Sequence, residues 1–164
     1  DDDIIYPENY VTTMVTTSNK YNDMAIITFH GGILPKHVKS YKDERNLIHF
    51  NDTNTKDTFA NLPGTGVSLY PPGLLNLDLY DFKRPNAADL FLAIVAQKQR
   101  IPIIILKHDG DLFKTIPYEY NLWSTEIKKN SYVSQLNTKD AKKVRWTVYT
   151  NYINGSLICS TLYY

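Results

Sequence analysis

Cysteine is almost absent from this chain: among its 164 residues, Cys159 stands alone. A lone cysteine forms no disulfide within the chain and lacks the cysteine partners of a zinc ribbon, so the fold must be held together by packing. Long apolar runs are also missing, since no stretch approaches the roughly 18 residues typical of a membrane-spanning helix. We therefore expect a globular chain with no membrane span, no metal and no cofactor.

Neither sign of charge prevails. The chain carries 18 basic and 17 acidic residues, a formal net charge of +1. No stretch of sequence gathers lysine and arginine into a stripe that would follow a phosphate backbone, so nucleic acid is not expected as the principal ligand. The length suits one domain over residues 1–164, with no linker or internal repeat to divide it. The sequence leaves the oligomeric state open.

One segment has clear helical spacing. Apolar residues recur every three to four positions between Leu90 and Val95, and Asn86 followed by Asp89 resembles a capping box. This pattern predicts a helix over residues 87–99, ended by Arg100 and Pro102. Two weaker helices are predicted over residues 124–129 and 138–143.

Short apolar runs rich in β-branched side chains predict strands near residues 25–29, 67–70, 102–106, 145–152 and 156–162. Residues 35–61 read as a long polar loop with one edge strand near 47–50. Asn154-Gly155 favours a type I′ turn, which predicts a C-terminal β-hairpin. The expected fold class is α/β or α+β: a single domain with a mixed β-sheet and the 87–99 helix on one face.

His30 follows the first apolar run and precedes Gly31 and Gly32. A strand that stops at glycines presents its last side chain at the carboxyl edge of a sheet, where the backbone allows a ligand to approach. This position suits a catalytic imidazole, although a histidine beside a turn also serves as a capping or core-edge residue.

Cys159 ends the last apolar run and is followed by small polar residues. A thiol close to an imidazole becomes a nucleophile, whereas a lone cysteine in a core is only a small apolar side chain. If the pair acts, His30 takes the thiol proton, Cys159 attacks a carbonyl, and the Gly31 amide stabilises the oxyanion. Acyl transfer, most simply amide hydrolysis, is the implied reaction.

An apolar strand ending in His-Gly and a later one ending in Cys resemble the caspase and gingipain clan of cysteine peptidases. The chain also resembles Stv-type domains of bacterial toxins and putative adhesins, through His30-Gly31-Gly32, Leu69-Tyr70-Pro71-Pro72 and Leu157-Ile158-Cys159. The resemblance implies a secreted effector or toxin domain that acts on a protein substrate or host protein. Because Met is absent at position 1 and Asp1–Asp3 is unlike a signal peptide, we expect a piece of a larger protein.

Three histidines lie outside the predicted dyad. His108 and Asp109 follow the predicted central strand, so they are candidate binding residues at the sheet edge or helpers of His30. His37 and His49 lie in polar loops and receive no role.

The rival hypothesis is a binding module without chemistry. The chain has 13 tyrosines against 6 phenylalanines, and tyrosine gives large contact area at low entropy cost. In that case the 35–61 loop with Tyr70, Tyr80, Tyr118 and Tyr120 would contact a protein or glycan.

Overall fold

The computed structural model describes residues 3–117, 131–149, 151–153 and 156–158. Its helices are α1 (Tyr10–Lys20), α2 (Ala88–Gln99) and α3 (Ser131–Ala141). Its strands are β1 (Ile4–Ile5), β2 (Ile26–Thr28), β3 (Gly31–Ile33), β4 (Asn46–Ile48), β5 (Thr58–Ala60), β6 (Leu62–Pro63), β7 (Ser68–Leu69), β8 (Ile103–Ile105), β9 (Lys114–Thr115), β10 (Asn151–Ile153) and β11 (Ser156–Ile158).

The largest sheet has the strand order β5-β8-β2-β7. Its two central strands, β2 and β8, run parallel with Ile26 opposite Ile103, while β5 and β7 flank them antiparallel. All six residues of β2 and β8 are buried, which explains why their sequences are apolar without alternation. The predicted mixed sheet, with the 102–106 run at its centre, is therefore confirmed.

A second, antiparallel sheet has the order β4-β3-β6 and contains the two glycines that follow His30. The prediction that the first strand stops at these glycines is wrong in detail. Strand β2 ends at Thr28, and Gly31 and Gly32 begin β3. A Cβ at Gly31 would lie 2.5 Å from the Leu62 carbonyl oxygen, so glycine is required by close strand packing.

Helix α2 confirms the predicted 87–99 helix, but its start differs. Asn86 has a φ of +57° and Ala87 occupies the N-cap position, without a capping side chain. Asp89 does not cap the helix, because its carboxylate accepts the backbone N–H of Thr65 at 2.9 Å. Arg100 ends the helix in a left-handed conformation, as the Pro102 that follows requires a break.

The 35–61 segment holds two strands where one was predicted. Strand β4 is the expected edge strand, and β5 adds a second edge to the large sheet. Helix α1 and strands β1 and β9 were not predicted.

The C-terminal hairpin is confirmed, since β10 and β11 pair antiparallel with Tyr152 opposite Leu157. Among the described residues it forms a two-stranded sheet of its own, whereas the prediction placed both strands in the mixed sheet. Residues 144–149 have no regular structure, because the backbone of Thr147 bonds to the side chain of Gln97 instead of to a strand. Helix α3 begins seven residues before the predicted 138–143 helix; Asn154-Gly155 and the 124–129 segment lie outside the described residues.

Candidate functional site

His30 lies in the short connection between β2 and β3, and backbone bonds fix its position. Its carbonyl oxygen accepts the Thr28 hydroxyl and the Gly64 N–H, each at 2.7 Å. Gly64 lies directly against the imidazole, since a Cβ there would come within 2.2 Å of His30 Cδ2. The ring therefore occupies space that only a glycine leaves open.

The His30 imidazole lines a cleft of about 580 Å³, which we call the His30 cleft. This volume falls in the range of ligand-binding sites. The lining comes from the β3–β4 region, the start of α2 and the face of α3. Besides His30, the polar lining residues are Tyr41, Lys42, Arg45, His49, Thr65, Asn86, Asp89, Ser134 and Asn137.

Burial lowers the pKa of His30 to about 4, and the nearby His49 and Arg45 act in the same direction against the opposing charges of Asp89 and Asp52. The ring is consequently neutral at neutral pH. Its Nδ1 atom is buried and has no hydrogen-bond partner among the described residues. In the tautomer that carries its proton on Nε2, this Nδ1 has a free lone pair and can accept a proton from a donor placed beside it.

The ring of His49 packs edge-on against His30, with centroids 4.6 Å apart, and lies 4.2 Å from the ring of Phe50. The Nδ1 atom of His49 accepts the Asn51 N–H at 3.2 Å, so in the neutral ring the proton resides on Nε2. Burial is the main cause that lowers the pKa of His49 as well. Sequence analysis assigned His49 no role, yet it forms one wall of the His30 cleft.

His108 is buried in the core and does not present itself at the sheet edge, where it was expected to bind a ligand. Its Nδ1 lies 2.8 Å from the Leu106 carbonyl oxygen and its Nε2 lies 3.3 Å from that of His49. The residue thus contacts the backbone of His49, and it does not line the His30 cleft.

Asp109 is exposed in a turn, where its carbonyl oxygen accepts the Leu112 N–H. In the ranges that the structure covers, no three His, Cys, Asp or Glu side chains come together as a metal would require. Tyr70 packs beside the core and is not part of the His30 cleft lining; burial raises its pKa to about 12. Neither residue therefore lines the cleft with His30.

The other two predicted catalytic residues have different outcomes. Gly31 is in the middle strand of its sheet, opposite Ile48 on one side and Pro63 on the other. The amide of a residue paired on both sides points along the sheet toward a neighbouring strand, so this position does not suit an oxyanion donor. Cys159 lies outside the described residues, and its pairing with His30 stays a prediction.

Arg45, Tyr41 and Asp89 are site residues that sequence analysis missed. The Arg45 guanidinium stacks over the Tyr41 ring at 4.6 Å from the centroid. These residues come from separate segments and carry no local motif. The sequence signal near this part of the site was the capping-box-like pair Asn86 and Asp89, which placed Asp89 in the first turn of the predicted helix.

Comparison with known proteins adds no family. No model of a protein family matches the chain, and no curated protein matches it significantly. Among the described residues, no helix is both long and apolar enough to cross a membrane. The geometry of the His30 cleft is therefore the basis for assigning a function.

Proposed function

We propose that the chain is a cysteine-dependent acyl-transfer enzyme of the peptidase type, with His30 as general base and Cys159 as nucleophile. One observation carries this proposal: a neutral imidazole lines a ligand-sized cleft with a buried Nδ1 that has no partner in the described part of the chain. A thiol is a weak donor that would satisfy this nitrogen and become activated by it.

The reaction follows from the state of His30. With a pKa near 4, the resting imidazole is neutral and carries a single ring proton, so the resting dyad is a neutral thiol and a neutral ring. As the sulfur attacks the substrate carbonyl, the thiol proton moves to His30, and the ring then gives it to the departing amine. A water molecule next attacks the thioester carbonyl while His30 accepts its proton; the C–S bond then breaks, the acid product leaves, and His30 returns the proton to the Cys159 sulfur.

Alkylation of Cys159 tests the proposal, because it is the one cysteine in the chain. We expect iodoacetamide to react with wild type about tenfold faster at pH 7 than with His30→Gln, since glutamine cannot accept the thiol proton. His37→Gln is the matched control, because His37 is exposed and does not line the His30 cleft, and its alkylation rate at pH 7 should equal that of wild type. Equal alkylation rates for wild type and His30→Gln would contradict the dyad, as would a Cys159 thiol that reacts only after the protein unfolds.

A second candidate function, a non-catalytic binding module, is favoured by one observation. Leu79 and Tyr80 are 84% and 88% exposed in a one-turn 3-10 helix (Leu79–Asp81), where apolar contact with a protein or glycan would bury them. An unreactive Cys159 would leave this function as the better account of the chain.

The biological setting is part of the proposal. The likeness to Stv-type domains supports a role as an effector or toxin domain from a bacterium, secreted or delivered into a host cell. A protein substrate fits this setting and the acyl-transfer chemistry.

A further inference from the structure

A second depression adjoins the His30 cleft at Ser134, which lines both. It measures about 440 Å³ and lies between the loop at residues 39–40 and helix α3. All its charged lining side chains are lysines: Lys39, Lys139 and Lys142. We call it the lysine groove. Together with Lys42 and Arg45 in the His30 cleft, five cations follow one continuous surface.

The lining of the two depressions holds these five cations and, among the described residues, one carboxylate, Asp89. Within the described residues, none of the five lies within 4.0 Å of a carboxylate oxygen. Three further carboxylates lie nearby: Glu44 accepts the backbone N–H groups of Lys39 and Ser40 and interacts with the charge of Lys39, Asp43 accepts the Ser40 hydroxyl, and Asp140 pairs with Arg84 and Lys143. The surface beside His30 is therefore locally basic, although the whole chain is nearly neutral.

We propose that the substrate is an acidic polypeptide segment, whose Asp and Glu side chains lie along the lysine groove while the carbonyl under attack lies beside His30. This inference rests on the proposed acyl-transfer function, which requires a polypeptide in the His30 cleft. Complementary charge along the groove selects such segments and speeds their encounter with the site.

A polypeptide fits the surface better than a nucleic acid does. Single-stranded nucleic acids bind through bases stacked on open aromatic faces. Among the described lining residues, Tyr41 is buried beneath Arg45, and the half-buried His49 packs between His30 and Phe50. The described part of the basic surface supplies charge but no fully open aromatic face.

Binding to the Cys159→Ala protein tests this inference without turnover. The probes are a fluorescein-labelled dodecapeptide rich in Asp and Glu, its Asn and Gln counterpart, and a single-stranded oligonucleotide of equal charge, each followed by fluorescence anisotropy. We expect the acidic peptide to bind about tenfold tighter than the neutral one, and Lys139→Gln/Lys142→Gln to weaken it about fivefold. Lys107→Gln/Lys114→Gln removes the same charge from exposed positions outside both clefts and should have little effect.

Equal binding of the two peptides would overturn the inference. So would equal weakening by both double variants, or an oligonucleotide that binds more tightly than the acidic peptide. This test is independent of the His30–Cys159 dyad, because binding needs no thiol. If the acidic peptide binds selectively but Cys159 of the wild type proves unreactive, the acyl-transfer function is refuted and the peptide-binding surface is still supported.

Discussion

Acid should destabilise this protein through His30 in particular. In the unfolded chain the imidazole takes up a proton near its ordinary pKa of 6.5, whereas in the folded chain burial holds the pKa at about 4. Between these two values the unfolded state binds more protons, so the free energy of unfolding falls as the pH falls. At about 1.4 kcal/mol per pH unit, the gap corresponds to about 3 kcal/mol. This contribution is fully present above pH 6.5 and fully lost below pH 4.

Replacing His30 with asparagine removes the titrating group. Urea unfolding followed by tryptophan fluorescence, at several pH values from 7.5 to 4, should show a free energy of unfolding that falls less steeply in His30→Asn than in wild type. The difference between the two falls should approach about 3 kcal/mol at the acid end. His49→Asn should show a smaller effect in the same direction, because the pKa of His49 is also lowered mainly by burial.

The comparison of slopes is independent of any constant loss of stability that the substitution causes. His37→Asn provides the control for removing a histidine at an exposed position. If wild type and His30→Asn lose stability in parallel on acidification, the imidazole is not buried in a neutral form, and the argument for a resident base fails.

Two other substitutions test the packing around the site. Gly64→Ala should displace the His30 ring, because the new methyl group would lie 2.2 Å from it. We expect the free energy of unfolding to fall by about 1–3 kcal/mol, and NMR titration to show a His30 pKa nearer its ordinary value. Gly73→Ala is the comparison for backbone strain alone: Gly73 has a φ of +78°, which strains any side chain, but a Cβ there meets nothing within 4 Å, so the His30 pKa should stay as in wild type. An unchanged His30 pKa in Gly64→Ala would refute the contact. Gln97→Met should lower the free energy of unfolding in urea by about 2 kcal/mol or more, because the buried Gln97 amide bonds both the N–H and the carbonyl of Thr147. Gln99→Met is the comparison: Gln99 makes the same pair of bonds to exposed Asn76, so its loss should be about 1 kcal/mol or less. Equal losses for the two glutamine variants would show that residues 144–149 are not anchored by Gln97.

Elements with strong apolar patterns were predictable from the sequence. Strands β2 and β8 are buried throughout and seven of the twelve residues of α2 are buried, so the apolar pattern of each segment shows its element type. Helix α1 has no apolar pattern that predicts a helix. It is rich in threonine and valine, which favour strands, and Met14 and Ser18 are its only buried residues. Residues 144–149 were wrongly predicted to begin a strand, because the buried Trp146 and Val148 alternate as in a strand. The backbone of Thr147 instead bonds to the side chain of Gln97.

The site was predictable only at His30. That residue has a local signal, an apolar run followed by two glycines, whereas Arg45 and His49 reach the cleft through the pairing of β3 with β4. Strand register depends on contacts between distant segments, and a single sequence does not display it. The basic surface beside the site was hidden for the same reason, since its lysines come from residues 39–42 and from α3.

The central claim is that Cys159 and His30 share one cleft, and a spin label tests it most directly. The single cysteine allows a nitroxide to be attached at Cys159 alone, and the ring protons of the four histidines can be followed by NMR. We expect the His30 and His49 signals to broaden strongly while the label is oxidised and to return when ascorbate reduces it. A His30 signal that is the same with oxidised and reduced label would contradict the shared cleft and the enzyme that we propose.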